Sequence, residues 1–316
     1  MVSVLPRLLA NLKASNWAGS IGCEYIGETM KKVIGMQGND QGHWVGDGFP
    51  VRTLFFYQDL GKQMSPFLML DYAGPAEFLP TTERKGVGSH PHRGFETVTI
   101  VYGGEVAHKD STGQGGVIGP GDVQWMTAGA GILHEEFHSE GFAKNGGTLN
   151  MVQLWVNLPT KLKMTQPGYQ AILNKQIPVV NLKNGAGQAR IIAGEFNSHK
   201  GPANTFTPLN VIDLKLKKGS STIPVPEGWN TSLVVLKGAI EAGEGVVAKD
   251  AQMLMFSKEG EDIQVNVLGD SVALLLSGKP IDEPIVGYGP FVMNTKEEIA
   301  QAMQDFNSGS FGKIAH

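Results

Sequence analysis

One cysteine, Cys23, stands in the whole chain. A lone thiol excludes an intramolecular disulfide framework and points to a reducing compartment. Excess positive charge is missing as well. The 26 basic and 30 acidic side chains leave a formal net charge of −4, without the electrostatic footprint of direct nucleic-acid binding. No apolar run approaches the roughly 18 residues of a membrane span. Near the N-terminus, Pro6, Arg7 and Lys13 interrupt any hydrophobic stretch of signal-peptide length. Ser20-Ile21-Gly22-Cys23 resembles a lipoprotein cleavage site but has no apolar core before it. A cytoplasmic location is the expectation. Histidine is scarce in a more telling way: none lies between His199 and the terminal His316, whereas five of the eight fall between positions 90 and 138.

What is present reads as β structure. With 41% hydrophobic and 18% charged residues, 316 positions can build a sizeable core in two ordinary domains or one large one. Helical periodicity is sparse, and 42 glycines fit short strands joined by tight turns. Strand-like runs begin after Gly48 with V-R-T-L-F-F-Y and F-L-M-L-D-Y, and continue through E-T-V-T-I-V-Y and L-N-M-V-Q-L-W-V-N-L-P. Residues 159–178 read as a linker. A second strand-rich half follows, including N-V-I-D-L-K-L, S-L-V-V-L-K-G and S-V-A-L-L-L-S-G. This cadence predicts an all-β chain of barrels or sandwiches, and the similar texture of the halves suggests a duplication. Matching Gly104 to Gly238 sets Pro224 and Pro226 against His90 and His92. The second half therefore has no histidines for a comparable site. Before Gly48, residues 1–40 read as a loosely packed arm in which Leu5, Leu8, Leu9 and Leu12 share a helical face. One further helix is predicted in the tail, where Thr295 and Glu298 form a capping box ahead of the stripe Ile299, Ala302, Met303 and Phe306.

The chemistry concentrates between His90 and Glu136. Residues two apart on a strand point to one face, so His90 pairs with His92 and His134 with Glu136. If those two strands meet, three imidazoles and a carboxylate converge. Such a nitrogen and oxygen set suits a first-row divalent ion better than calcium or magnesium, and it leaves coordination positions for a reactant. Strand alternation turns Glu135 off this face. His138 shares the ligand parity at the pocket mouth, His108 reads as a surface or structural histidine, and Arg93 as a strand bridge.

The segment H-P-H-R-G-F-E-T-V-T-I-V-Y-G-G fits the first cupin motif through His90, His92, Glu96 and Gly103. Together with Q-W-M-T-A-G-A-G-I-L-H-E-E, L-W-V-N-L-P and G-P-F-V-M-N-T-K-E-E-I it resembles the pirin family, from about His43 to Gly312. The resemblance implies a bicupin: two antiparallel, jelly-roll-like barrels with a short C-terminal helix. It divides the chain into an arm (1–40), a metal-bearing barrel (41–165), a metal-free barrel (166–292) and a helical tail (293–316). It implies iron(II), with manganese, nickel, cobalt, copper or zinc as alternatives, on His90, His92, His134 and Glu136. It also leaves Glu96 outside the ligand set, facing substrate or supporting a ligand. Bacterial pirin-like proteins are associated with quercetin 2,3-dioxygenase activity, which implies a flavonol and O2 as reactants. In that reading Glu136 or Glu96 takes the substrate's hydroxyl proton, and Phe55, Phe56, Trp125 and Met126 are candidate wall residues. The alternative reading is an iron-binding, redox-sensing regulator of a protein partner with little turnover of its own. A cupin sugar isomerase fits the signatures less well.

Overall fold

Continuously apolar runs and alternating runs make two kinds of strand, buried on both faces or on one. The computed structural model, which describes residues 30–315, sorts them that way. In chain order the first half holds β1 (Val33–Gly38), β2 (His43–Val45), β3 (Phe49–Phe56), α1 (Tyr57–Met64), β4 (Phe67–Phe78), β5 (Gly86–His92), β6 (Phe95–Gly103), β7 (Val106–Asp110), β8 (Gly115–Ile118), β9 (Val123–Thr127), β10 (Ile132–His138), α2 (Glu140–Asn145), β11 (Gly147–Asn157) and β12 (Gly168–Ile172). The second half holds β13 (Val179–Asn181), β14 (Gly187–Ala193), β15 (Glu195–Phe196), β16 (His199–Lys200), β17 (Leu209–Leu216), β18 (Gly219–Pro224), β19 (Asn230–Lys237), β20 (Ala239–Ala242), β21 (Val246–Lys249), β22 (Gln252–Phe256), β23 (Asp262–Val267) and β24 (Ser271–Gly278). The hairpin β25 (Val286–Tyr288) and β26 (Phe291–Met293) and the helix α3 (Lys296–Asn307) close the chain.

Each half is a pair of facing sheets. In the first, the order β12-β9-β6-β11-β4-β3-β2 faces β5-β10-β7-β8; in the second, β1-β22-β19-β24-β17-β14-β13 faces β18-β23-β20-β21. All the strand ladders in these four sheets are antiparallel. The expected all-β pair of barrels is therefore what forms, and α1 and α2 are short helices that the periodicity did not announce.

The two larger sheets pack against each other. One core cluster joins Val98, Ile100, Trp125, Val152 and Leu154 of the first half to Val211, Val234, Leu274 and Leu276 of the second. The alternate residues Ile212, Leu233, Val235, Ala273 and Leu275 fill the interior of the second barrel. Its strands are apolar on both faces because both faces are covered. Burying each such side chain is worth roughly 1.5–3 kcal/mol, and a contact this apolar holds the two barrels as one unit.

Three boundaries differ from the sequence expectation. Residues 33–38 are not a loose arm: β1 pairs with β22 at the edge of the second barrel's large sheet. Before it, Lys31 Nζ donates to the carbonyls of Trp229, Ser257 and Lys258. The leucine stripe at positions 5–12 and Cys23 lie outside the described residues. The supposed linker supplies β12, which pairs with β9 and belongs to the first barrel. After β24 the chain returns to the first barrel, where Arg93 bridges to Phe291 and donates through NH1 to Asp305 of α3 at 2.8 Å. Helix α3 has its capping box, with Thr295 Oγ1 accepting from Glu298 N and Glu298 Oε2 accepting from Thr295 N. It buries Ile299 and Ala302, while Met303 and Phe306 stay partly exposed.

Lys163 locks this return. Its Nζ is buried and donates at 2.8 Å to Gly94 O, Asn157 Oδ1 and Val292 O. Replacing Lys163 with Ala leaves three buried acceptors unpaired, and urea denaturation should record a loss of about 3 kcal/mol or more.

Candidate metal centre

Strands β5 and β10 are hydrogen-bonded neighbours in the small sheet of the first barrel, with His90 directly opposite His134 and His92 opposite Ile132. The register shifts between His134 and Glu136, where β5 carries one extra residue around Gly88 and Ser89. The structure brings His90, His92 and His134 into one group, with ring centroids 4.1–5.0 Å apart. A second group, His108, His134 and Glu136, shares His134 with the first. Among the described residues, both groups lie in the first barrel. The expected strand pairs thus meet, through His134 rather than as four side chains equidistant from one point.

Each imidazole is oriented through Nδ1. His90 Nδ1 lies 2.9 Å from Gly88 O, and His92 Nδ1 lies 3.3 Å from Pro290 O. A carbonyl only accepts, so Nδ1 carries a proton in both rings, and the neutral tautomer of each has its lone pair on Nε2. Around His134 the tautomers follow from the hydrogen-bond network. His108 Nε2 donates to Asp110 Oδ2 at 3.3 Å, which leaves His108 Nδ1 to accept from Gln124 Nε2 at 3.2 Å and from His134 Nδ1 at 3.4 Å. His134 Nε2 is then unprotonated, and it is buried with no hydrogen-bond partner among the described residues. Burial, followed by the neighbouring His90, pushes the His92 pKa down to about 3. Burial and the surrounding His90, His92 and His108 likewise hold His134 well below its ordinary value. A cluster of imidazoles whose ligand atoms lie within 4.8 Å of one another, with a buried His134 Nε2 that no donor meets, fits a divalent transition ion.

Glu136 is placed by the facing sheet: its Oε1 accepts from Gln124 Nε2 at 3.0 Å and lies 3.2 Å from Thr99 Oγ1, whose single proton goes to Gln153 Oε1 at 2.6 Å. Glu135, turned the other way, pairs with Arg84 at 2.6 Å. Glu96 departs from the expected role. On β6 it shares a face with Val98 and Ile100, toward the core between the barrels, whereas Thr99 faces the histidines. Its Oε1 accepts from Thr127 Oγ1 at 2.8 Å, it lies against Trp125, and it is fully buried. Alternation along β6 therefore separates Glu96 from the centre by the thickness of the sheet. Trp125 and Phe55 belong to that same core, so neither lines the centre. Met126 faces inward beside Ile132 and Tyr169, and Phe56, the register partner of Met69, packs in the cluster of Phe95 and Trp155. Trp155 and Phe95, which sequence reasoning passed over, stand 5.3 and 5.1 Å from His92.

Two histidines also change places. His138 donates from Nε2 to Gly48 O at 2.8 Å and packs among Phe49, Phe78 and Phe142, in the apolar interior rather than at a mouth. His108, read as a surface or structural residue, is buried beside His134. Its signal was the spacing His108-x-Asp110, which puts ring and carboxylate on one face of β7. Only the pairing of β7 with β10 turns that face toward the centre.

The comparisons with known proteins accord with this geometry. The pirin family profile matches residues 48–156, and that of the pirin C-terminal cupin domain matches residues 211–312. The chain belongs to the pirin family. This pirin is 56% identical over 283 residues to a Pseudomonas aeruginosa protein provisionally named a quercetin 2,3-dioxygenase, covering 89% of this chain and 99% of that one. It is 36% identical over 297 residues to the Homo sapiens protein named pirin, covering 91% and 96% of the two chains. A crystal structure titled as quercetin 2,3-dioxygenase from Acinetobacter baumannii superposes with a TM-score of 0.88 at 57% identity, covering 91% of this chain and all of that one. The two barrels of this pirin are thus cupin domains. Among its described residues, no helix is long and apolar enough to cross a membrane.

Burial raises the Glu96 pKa to about 7 from an ordinary 4.5, the Thr127 hydroxyl pulling back against it. The folded protein therefore binds more protons at this position than the unfolded chain between those two values. Stability falls as pH rises through that window. Glu96→Gln should remove the slope, on the order of 3 kcal/mol in full, in thermal denaturation at graded pH. Bound metal, set by residues across the sheet, should stay at the wild-type level in elemental analysis.

Proposed function

We propose that this pirin is a metal-dependent dioxygenase of flavonols, the quercetin 2,3-dioxygenase reaction, with iron(II) as its ion. The observation that carries the reading is the cluster of three imidazoles, one of which ends in a buried Nε2 without a partner. His90, His92, His134 and Glu136 are the proposed ligands, a mixed nitrogen and oxygen set suited to a redox-active divalent ion. The names borne by the Pseudomonas and Acinetobacter relatives support the substrate class.

When bound, the ion supplies Lewis acidity toward a substrate hydroxyl and the electronic means to engage O2. The protein's own groups do the rest. Phe95, Trp155 and Met126 give the flat substrate an apolar wall and keep water from the reacting ring. Glu136, its Oε1 restrained by Gln124, is the carboxylate that takes the proton of the flavonol's 3-hydroxyl. His108 keeps the proton of His134 on Nδ1, and Asp110 keeps that of His108 on Nε2. Asp110 is itself fixed by Thr112, whose N and Oγ1 donate to Oδ1 at 2.8 and 2.6 Å. Such outer partners set ligand orientation and basicity.

Anaerobically iron-loaded protein given quercetin and O2 should consume O2 and release carbon monoxide in equal amounts. A fully loaded protein that turns over none would instead support the regulatory reading. His92→Ala should cost the protein its metal, so wild-type metal content in that variant would remove His92 from the ligand set. His108→Phe deprives His134 Nδ1 of its acceptor while keeping a ring against Tyr169. Chelator competition should then report metal affinity lower by about 10- to 100-fold.

A further inference from the structure

Five polar side chains cross the inner face of the first barrel's large sheet at a single level. Gln124 on β9 is the register partner of Thr99 on β6, Thr99 of Gln153 on β11, Gln153 of Asp71 on β4, and Asp71 of Thr53 on β3. Their neighbours Trp125, Val98, Leu154 and Tyr72 point the other way, into the core between the barrels, so all five point inward. Thr99 Oγ1 donates to Gln153 Oε1 at 2.6 Å, and Thr53 Oγ1 to Asp71 Oδ1 at 2.5 Å. Along the same strands the inward positions on one side are Val101, Met151 and Ala73, in an apolar cluster. On the other side the next row is Met126, Thr97, Trp155 and Met69, with Phe95 beyond Thr97. The row is thus a polar stripe with an apolar cluster on one side and a mainly apolar row, interrupted by Thr97, on the other.

Polar groups inside a barrel cost free energy unless something needs them there. One end of this row has an evident use, because Gln124 Nε2 donates to Glu136. The other end does not. Asp71 is a carboxylate only 7% exposed, two strands beyond Thr99 and bonded to none of the histidines. Thr53 and Gln153 on either side of it are partly exposed, so the row is reachable from solvent. With adjacent strands about 4.8 Å apart, the backbones of Thr99 and Asp71 stand roughly 10 Å apart. That span is comparable to the long axis of a flat three-ring polyphenol. A molecule with its reacting hydroxyl beside Glu136 would lay its far ring over Gln153 and Asp71.

We propose that Asp71 and Gln153 form a subsite for the phenolic hydroxyls of the ring remote from the reacting carbon, so that the pocket selects catechol-bearing flavonols over those with a bare ring. The carboxylate accepts from the hydroxyls, and the Gln153 amide, its Oε1 taken by Thr99, donates to them through Nε2. A bare ring leaves both groups desolvated and unanswered, the arrangement by which polar sites discriminate most strongly. This inference rests on the flavonol reading above and adds to it which flavonol.

The test is equilibrium binding under anaerobic conditions, read by quenching of tryptophan fluorescence in the metal-loaded full-length protein. The probes are three flavonols with two, one and no hydroxyls on the pendant ring. Wild-type affinity should fall across the series by about tenfold or more in total, as expected for lost hydrogen bonds to a charged group. Asp71→Leu and Gln153→Met should each lower the affinity for the catechol compound toward that of the bare-ring compound, whose own affinity changes little. Equal wild-type affinity for all three compounds, or undiminished discrimination in both variants, would overturn the subsite and leave the dioxygenase reading standing. Failure of the wild type to bind any of them would overturn both. The wild-type series is readable even if either variant fails to fold.

Discussion

The centre depends on where three protons are kept. Each clustered imidazole presents a bare Nε2 only because its Nδ1 proton is occupied elsewhere, by Gly88 O, by Pro290 O and by His108. Those three partners come from an irregularity in β5, from the segment that returns after the second barrel, and from a neighbouring strand. The arrangement of the chain at three distant places therefore serves one requirement, that nitrogen lone pairs converge without a donor between them. Unmet convergence of this kind is costly in a buried site, and a bound cation is what relieves it.

The same scaffold is used twice with opposite interiors. In the second barrel β18 pairs with β23 as β5 pairs with β10 in the first, and Pro224, matched to His90, lies opposite Asp262, whereas His90 lies opposite His134. The inward positions there are Ile223, Ile263 and Val265, so that barrel is a packed core. Its contribution to the site is mechanical. It covers the outer face of the first barrel's large sheet, burying Glu96 and Trp125 in the shared core, and the segment beyond it returns with the Pro290 carbonyl that meets His92. The second cupin domain, in which no such cluster occurs among the described residues, thus still helps to place the histidines of the first.

Much of this could be read along the chain. Strand character follows from β-branched runs and glycine turns, and the two-residue periodicity of His90-x-His92 and His134-x-Glu136 assigns each pair to one face. Neither inference depends on which strands meet. Pairing across the sheet is what local spacing does not carry. The resemblance implies that Glu96 faces substrate or supports a ligand, yet alternation along β6 turns it to the opposite face from Thr99. His108 reads as a surface or structural histidine from its sequence, yet β7 lies beside β10. The linker that became β12 and the arm that became β1 are edge strands, whose short and partly exposed sequences carry little periodic signal.

By itself, then, the amino-acid sequence determined that the chain would be two β domains and that only the first could hold a histidine centre. These conclusions need only composition and local spacing, which are properties of the covalent chain. Tertiary structure alone decided which nitrogen of each imidazole is free, which carboxylates face the cavity, and that Gln124, Thr99, Gln153, Asp71 and Thr53 fall into one row. Those depend on strand register and tautomer, which are set by strand pairing and by hydrogen bonds that range from His90 with Gly88, two positions apart, to His92 with Pro290, 198 apart.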